Sequence, residues 1–117
     1  MAVEKTNVVD MIVEALLSKK GKDIAVMDLS GLSVFADYFV IATASSTPQA
    51  NALIDAVDEA VRKVGIKGIR PQGDNSSPWI LFDFGDVIVH IFLEEARDFY
   101  QLERLWSDAK IKRIAED

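Results

Sequence analysis

Asp83, Asp86 and His90 are the side chains whose types and spacing come nearest to chemistry in this sequence. Two carboxylates three residues apart suit a hard divalent cation, and Asp83-Phe84-Gly85 is the tripeptide that holds magnesium in protein kinases. A kinase is excluded, because 117 residues leave no room for the glycine-rich loop, strand lysine and catalytic loop that the tripeptide works with. A small metal-dependent nucleotidyl or phosphoryl transferase using Asp83 and Asp86 stays open as an alternative. Asp86 follows a glycine at a turn, however, where aspartate is favoured for backbone reasons alone. His90 is the only histidine, and the chain has no cysteine. Without a recognisable nucleophile beside it, His90 is expected to be structural, bonded diagonally to Asp83 or to a neighbouring strand, and not a general base. Ser45 and Ser46 precede a helix start, where they could meet an anion, but a capping turn is the simpler role. No catalytic, cofactor or metal residue is therefore assigned.

The element that must position these groups is residues 79–93, which reads as a β-hairpin. Two runs rich in β-branched and aromatic residues flank Gly85-Asp86, and glycine at the first central position suits a two-residue type II′ turn. Counting outward pairs Phe84 with Val87, Phe82 with Val89, Leu81 with His90, Ile80 with Ile91 and Trp79 with Phe92. Side chains alternate across a strand, so Ile80, Phe82, Phe84, Val87, Val89 and Ile91 share a face with no polar group, which must be core. Trp79, Leu81, Asp83, Ile88, His90 and Phe92 share the other. Burying Asp83 or His90 there without partners costs several kcal/mol, so this second face is expected to be partly wet or covered from outside the hairpin. The opposed aromatics Trp79 and Phe92 have the character of a contact hot spot.

Upstream, Val8, Val9, Ile12, Val13, Leu16 and Leu17 recur at helical spacing, and Gly21 is the expected stop. Residues 24–29 have a strand pattern. Residues 38–43 form an unbroken apolar run suited to an interior strand covered on both faces. Thr47 as N-cap and Pro48 in the first turn begin a second helix. Its inner face is Ala50, Leu53, Ile54, Val57, Val61 and Val64, and Gly65 ends it. The succession of strand, helix and further strand is the grammar of a right-handed βαβ crossover. Residues 66–69 suggest a short strand, and 70–78, with two prolines, a loop. A final helix is expected over 95–106. Residues 107–117 are read as a frayed tail or loose helical turn, leaving a core of about 5–107. The fold class is thus α/β, a single domain whose mixed sheet contains a βαβ unit and a C-terminal hairpin and is flanked by helices.

Half of the residues are hydrophobic and 27% are charged, the composition of a globular domain and not of a disordered tail. One domain of this length buries about two thirds of its unfolded surface. The start lacks the basic region and apolar core of a secretory signal, and no apolar run approaches a membrane span, so a cytoplasmic location is expected. Nineteen acidic against thirteen basic residues give a net charge of −6. That balance repels phosphate backbones and favours a basic protein partner over direct nucleic-acid binding.

Several blocks carry a resemblance when read together. They are Asp28-Leu29-Ser30-Gly31-Leu32-Ser33, Ala36-Asp37-Tyr38-Phe39-Val40-Ile41, Asp74-Asn75-Ser76, Trp79-Ile80-Leu81, the run from Asp83 to Phe92, and the run from Arg97 to Trp106. In this order and spacing, over residues 5–110, they closely resemble the ribosomal silencing factor family, also called Iojap-related proteins. The resemblance implies a small protein with a nucleotidyltransferase-like fold but no known catalysis. Such a protein binds the large ribosomal subunit through ribosomal protein fourteen and sterically blocks joining of the small subunit, lowering translation under nutrient limitation. It implies binding through the hairpin's sheet surface, and hence Trp79 and Phe92 as anchors with Leu81, Ile88 and Arg70 around them. The same aromatic face could meet its own copy in a homodimer. Two departures stand out: Ala44 where family members commonly have glycine, and Gln72 where a glutamate usually precedes Gly73. They bear on the shape of the Ser45 turn and on any acidic contact at position 72.

Overall fold

The computed structural model describes residues 5–29, 31, 37–65, 69–72, 79–94 and 110–114. Among the described residues, two helices, α1 (Lys5–Ser18) and α2 (Thr47–Arg62), accompany six strands: β1 (Lys22–Asp28), β2 (Tyr38–Ala44), β3 (Ile69–Gln72), β4 (Trp79–Asp83), β5 (Val87–Leu93) and β6 (Lys110–Arg113). They form one mixed sheet in the order β3-β4-β5-β2-β1-β6. Only β2 and β5 run parallel; every other neighbouring pair is antiparallel. The interior position expected of the apolar run at β2 follows, with β1 on one side and β5 on the other.

The hairpin register is the one the turn dictates: Trp79 pairs with Phe92, Ile80 with Ile91, Leu81 with His90 and Phe82 with Val89. Gly85 has φ +86, which glycine adopts without a Cβ clash, while Asp86 is not among the residues with positive φ. A type I′ turn, which needs positive φ at both central residues, is thereby excluded. Asp83 Oδ1 accepts the Gly85 N–H at 2.7 Å, and the Asp86 carbonyl accepts the N–H groups of Asp37 and Tyr38 at 2.8 and 3.1 Å. The turn therefore also anchors the start of β2.

Both helices pack on one side of the sheet. Ile80, Phe82, Val87, Val89 and Ile91 of the hairpin join Val40, Ala42 and Ala44 of β2, Ile12 and Leu16 of α1, and Leu53 and Val57 of α2 in the larger core cluster. The expected inner face of α2 is buried from Ala50 to Val61, but Val64 lies beyond the helix and is 40% exposed. The β2–α2 connection departs from a simple βαβ unit. The strand after α2 is β3 at the sheet edge, and the parallel partner of β2 is β5, reached only after β3 and β4.

Several local devices differ from the sequence expectation for identifiable reasons. The N-cap of α2 is Ser46, not Thr47; its Oγ accepts the Gln49 N–H at 3.2 Å, with Pro48 in the first turn. Helix α1 ends through Lys20, which takes φ +62, and not through a left-handed Gly21. Lys20 N–H donates to the Leu17 carbonyl and Gly21 N–H to the Leu16 carbonyl, at 3.0 and 2.9 Å, the paired bonds of a Schellman end. Glycine is needed at 21 for space: a Cβ there would stand 3.1 Å from the Leu16 carbonyl oxygen and 3.2 Å from Leu53 Cδ2. Gly21→Ala is expected to destabilise the fold by about 1–3 kcal/mol, the usual cost of overpacking, read as a lower urea midpoint at unchanged m-value.

Gln49 then ties the two helices together. Its side-chain oxygen accepts Ser45 N–H and Oγ–H at 2.6 and 2.8 Å, and its amide donates to the carbonyls of Lys20 and Lys19 at 2.9 and 3.3 Å. The exposed carbonyls at the end of α1 thus find a partner at the start of α2.

The segment expected to be a loop opens as the edge strand β3, where Pro71 sits beside a register shift against β4. A proline lacks a ladder donor, and an edge strand or bulge is where it is tolerated. The expected frayed tail is corrected as well. Residues 110–113 form β6 against β1, and Ile114 N–H donates to the Ile24 carbonyl at 2.9 Å. Ile111 and Ile114 are three apart, so a strand sends them to opposite faces, and each meets a different core cluster. Of the short strand expected at 66–69, Ile69 opens β3 and 66–68 lie outside the described residues, as do the glycine- and serine-bearing loop at 73–78 and the final helix expected over 95–106.

Candidate functional site

The sheet side away from α1 and α2 is ordered by strand register into rows. Asp83 pairs with Ile88, Ile88 with Phe39, Phe39 with Met27 and Met27 with Ile111. In the next row Leu81 pairs with His90 and His90 with Ile41, and in the third Trp79 pairs with Phe92 and Phe92 with Thr43. Leu81, Ile88, Phe39 and Ile111 are half-buried, as is Asp83. Together they make a partly accessible apolar strip across β4, β5, β2 and β6, with a carboxylate at one end.

Phe92 does not belong to the accessible part. It is 1% exposed and packs with Met27, Leu29 and Ile41 in a second core cluster flanked by Phe39 and Ile111. The expectation that it stands off the core is corrected: the sheet has a core on both sides, and Phe92 is in the smaller one. The hairpin by itself could not reveal this, because Ile41 belongs to β2, and Met27 of β1 and Leu29 just after it reach the hairpin only through β2. Leu81 and Ile88 are placed as expected, on one face of adjacent strands. Trp79 and Arg70 lie in β4 and β3, and their side chains lie outside the described residues.

Phe39 is the residue of this strip that the sequence hides within an apolar run. The signal was present in the alternation of β2, where Val40, Ala42 and Ala44 face the helices and Phe39, Ile41 and Thr43 face the other way. What was missing was the parallel register that sets Phe39 beside Ile88.

His90 lies in the middle row, 3% exposed. The Phe39 ring meets it edge-on at 4.5 Å between centroids, and Phe92 lies nearly parallel at 6.2 Å. Burial lowers its pKa from 6.5 to about 4. The folded chain therefore keeps the ring neutral while the unfolded chain takes up a proton near pH 6.5. Stability is full above that pH and falls as the pH drops toward 4, by about 3 kcal/mol for this group. His90→Leu is expected to flatten that part of the profile, and urea midpoints of both proteins between pH 7 and 4 check it.

Asp83 Oδ1 is engaged by the Gly85 N–H, and Asp86 lies exposed in the turn. The pair is thus explained by turn chemistry. Among the described residues, no group of three or more His, Asp or Glu gathers in a metal-binding arrangement.

Among the described residues, a mixed sheet with α1 and α2 on one side and a half-buried apolar strip on the other is the build of a small α/β protein. Its family is shown by the sequence: residues 2–117 match the family model described as "Ribosomal silencing factor during starvation", and the chain belongs to that family. It is 37% identical over 93 residues to the ribosomal silencing factor of Bacillus subtilis, covering 80% of this chain and 79% of that one. A mouse relative named "Mitochondrial assembly of ribosomal large subunit protein 1" is 28% identical over 116 residues, or 93% of this chain and 51% of that protein. A crystal structure of a Chromobacterium violaceum protein superposes with a TM-score of 0.86 at 35% identity, covering 90% of this chain and 88% of that one. Among the described residues, no helix is long and apolar enough to cross a membrane.

Proposed function

We propose that this chain binds the large ribosomal subunit through ribosomal protein fourteen, using the sheet side away from α1 and α2, and that its bulk there blocks joining of the small subunit. The observation that carries this reading is the strip of half-buried Leu81, Ile88 and Phe39, brought side by side from three adjacent strands. Membership of a family named for ribosome silencing supports a translational repressor. The name of the mouse relative supports the large subunit as the particle concerned.

On this reading Trp79 of β4 and Arg70 of β3 also take part in the contact, while Phe92 acts from beneath, fixing the sheet surface without being an exposed anchor. A net charge of −6 speeds encounter with a basic ribosomal protein without supplying most of the affinity. The place of work is the cytoplasm, and no cofactor or reaction is required.

The test is to mix large subunits with the protein, add small subunits, and follow joining by light scattering, alongside binding to isolated ribosomal protein fourteen. Slowed joining that depends on direct binding to that protein is expected. Unchanged joining at saturating protein would refute the steric role. Sedimentation velocity of the protein alone reads whether the same strip also supports a homodimer.

A further inference from the structure

On the helix side of the sheet, a groove of about 410 Å³ opens between α1 and the strands β1, β2 and the end of β6. Val9, Val13, Val26, Tyr38 and Ile114 line it, with Val9 and Val13 nearly buried and the other three half-buried. Asp10 and Glu14 complete the lining, and both are exposed. They stand four residues apart on α1, so like charges share one rim, an arrangement that is mildly destabilising for a helix. Among the described residues neither takes part in an ion pair.

We propose that this groove binds a basic peptide segment, one that places an aliphatic or aromatic residue on the valine floor and a flanking lysine or arginine against Asp10 and Glu14. The volume accommodates one or two large side chains of such a segment. Tyr38 offers a half-buried ring at the wall, against which a cation or its methylene stem gains further contact. The charge pattern selects the partner: an acidic or nucleic-acid ligand would meet two carboxylates, whereas a basic one relieves their mutual repulsion. Lys112 of β6 pairs in register with Val26 of β1, so replacing it supplies an internal control at a backbone position beside the groove. This site is distinct from the sheet surface proposed for the ribosome, since Val26 and Tyr38 belong to the opposite face of β1 and β2.

Fluorescence anisotropy tests the proposal with a labelled peptide alternating lysine and leucine around one tryptophan, and with hexalysine as the purely cationic probe. The natural chain should bind the mixed peptide saturably and hexalysine far less. Replacing Asp10→Asn and Glu14→Gln together should weaken the mixed peptide by about tenfold, as the loss of two rim charge pairs implies. Asp55→Asn with Glu59→Gln, which removes an equal charge at the same spacing on α2, should change it by less than about twofold. Lys112→Ala should leave binding unchanged or tighter. Equal losses in the two double variants would reduce the effect to net charge and overturn the proposal. Absence of saturable binding by the natural chain would overturn it too, including the case in which Lys112→Ala creates it.

Discussion

Phe92→Ala is expected to destabilise the protein by about 3–5 kcal/mol, as much as Phe82→Ala on the opposite face of the hairpin. Both rings are buried to about the same degree, 1% exposed, and each lies in its own cluster, Phe82 against α1 and α2 and Phe92 against Met27, Leu29 and Ile41. A one-sided sheet would give a large effect for Phe82 and a small one for Phe92. Urea denaturation of the two variants separates the cases. Near-equal losses support a core on both sides, whereas a loss below about 1 kcal/mol for Phe92 would return its ring to the surface.

The second large effect concerns binding. Ile88→Asp is expected to weaken association with large subunits by about thirtyfold or more, corresponding to the roughly 2 kcal/mol of a central hot-spot residue. Ile88 stands between Asp83 and Phe39 in the strip and is half-buried, so a carboxylate there is costly against an apolar partner but retains access to water in the free protein. Circular dichroism and urea midpoints should show a folded variant. Leu81→Asp, one row away, should behave similarly, and Asp55→Asn on exposed α2 should bind like the natural chain. Equal binding by folded Ile88→Asp and Leu81→Asp would remove this surface from the interface.

The hairpin was legible in the sequence to the level of individual pairs because a two-residue turn leaves no freedom of register once the glycine is placed. The helix stripes were legible for the same reason, a short-range period. What failed to show was non-local. The pairing of β2 with β5 brings Ile41 beside His90 and Phe39 beside Ile88, and without it Phe92 looks like a surface aromatic. Likewise, Ile111 and Ile114 look like isolated residues in a charged tail until β1 supplies a template with a core on each side. The cap at Ser46 and the left-handed Lys20 were missed because threonine before proline and glycine after a helix are strong habits. Here Ser46 held the better capping geometry, and Gly21 was required for close packing against Leu16 and Leu53. The candidate site was therefore half readable: Leu81 and Ile88 from alternation, Phe39 only from the assembled sheet.

Co-sedimentation with purified ribosomal subunits tests the central claim most directly. The protein should pellet in near-stoichiometric amount with large subunits and not with small ones. Addition of isolated ribosomal protein fourteen should release it, and Ile88→Asp should remain in the supernatant. Equal recovery with both subunits, or none with the large one, would contradict the proposed mode of action.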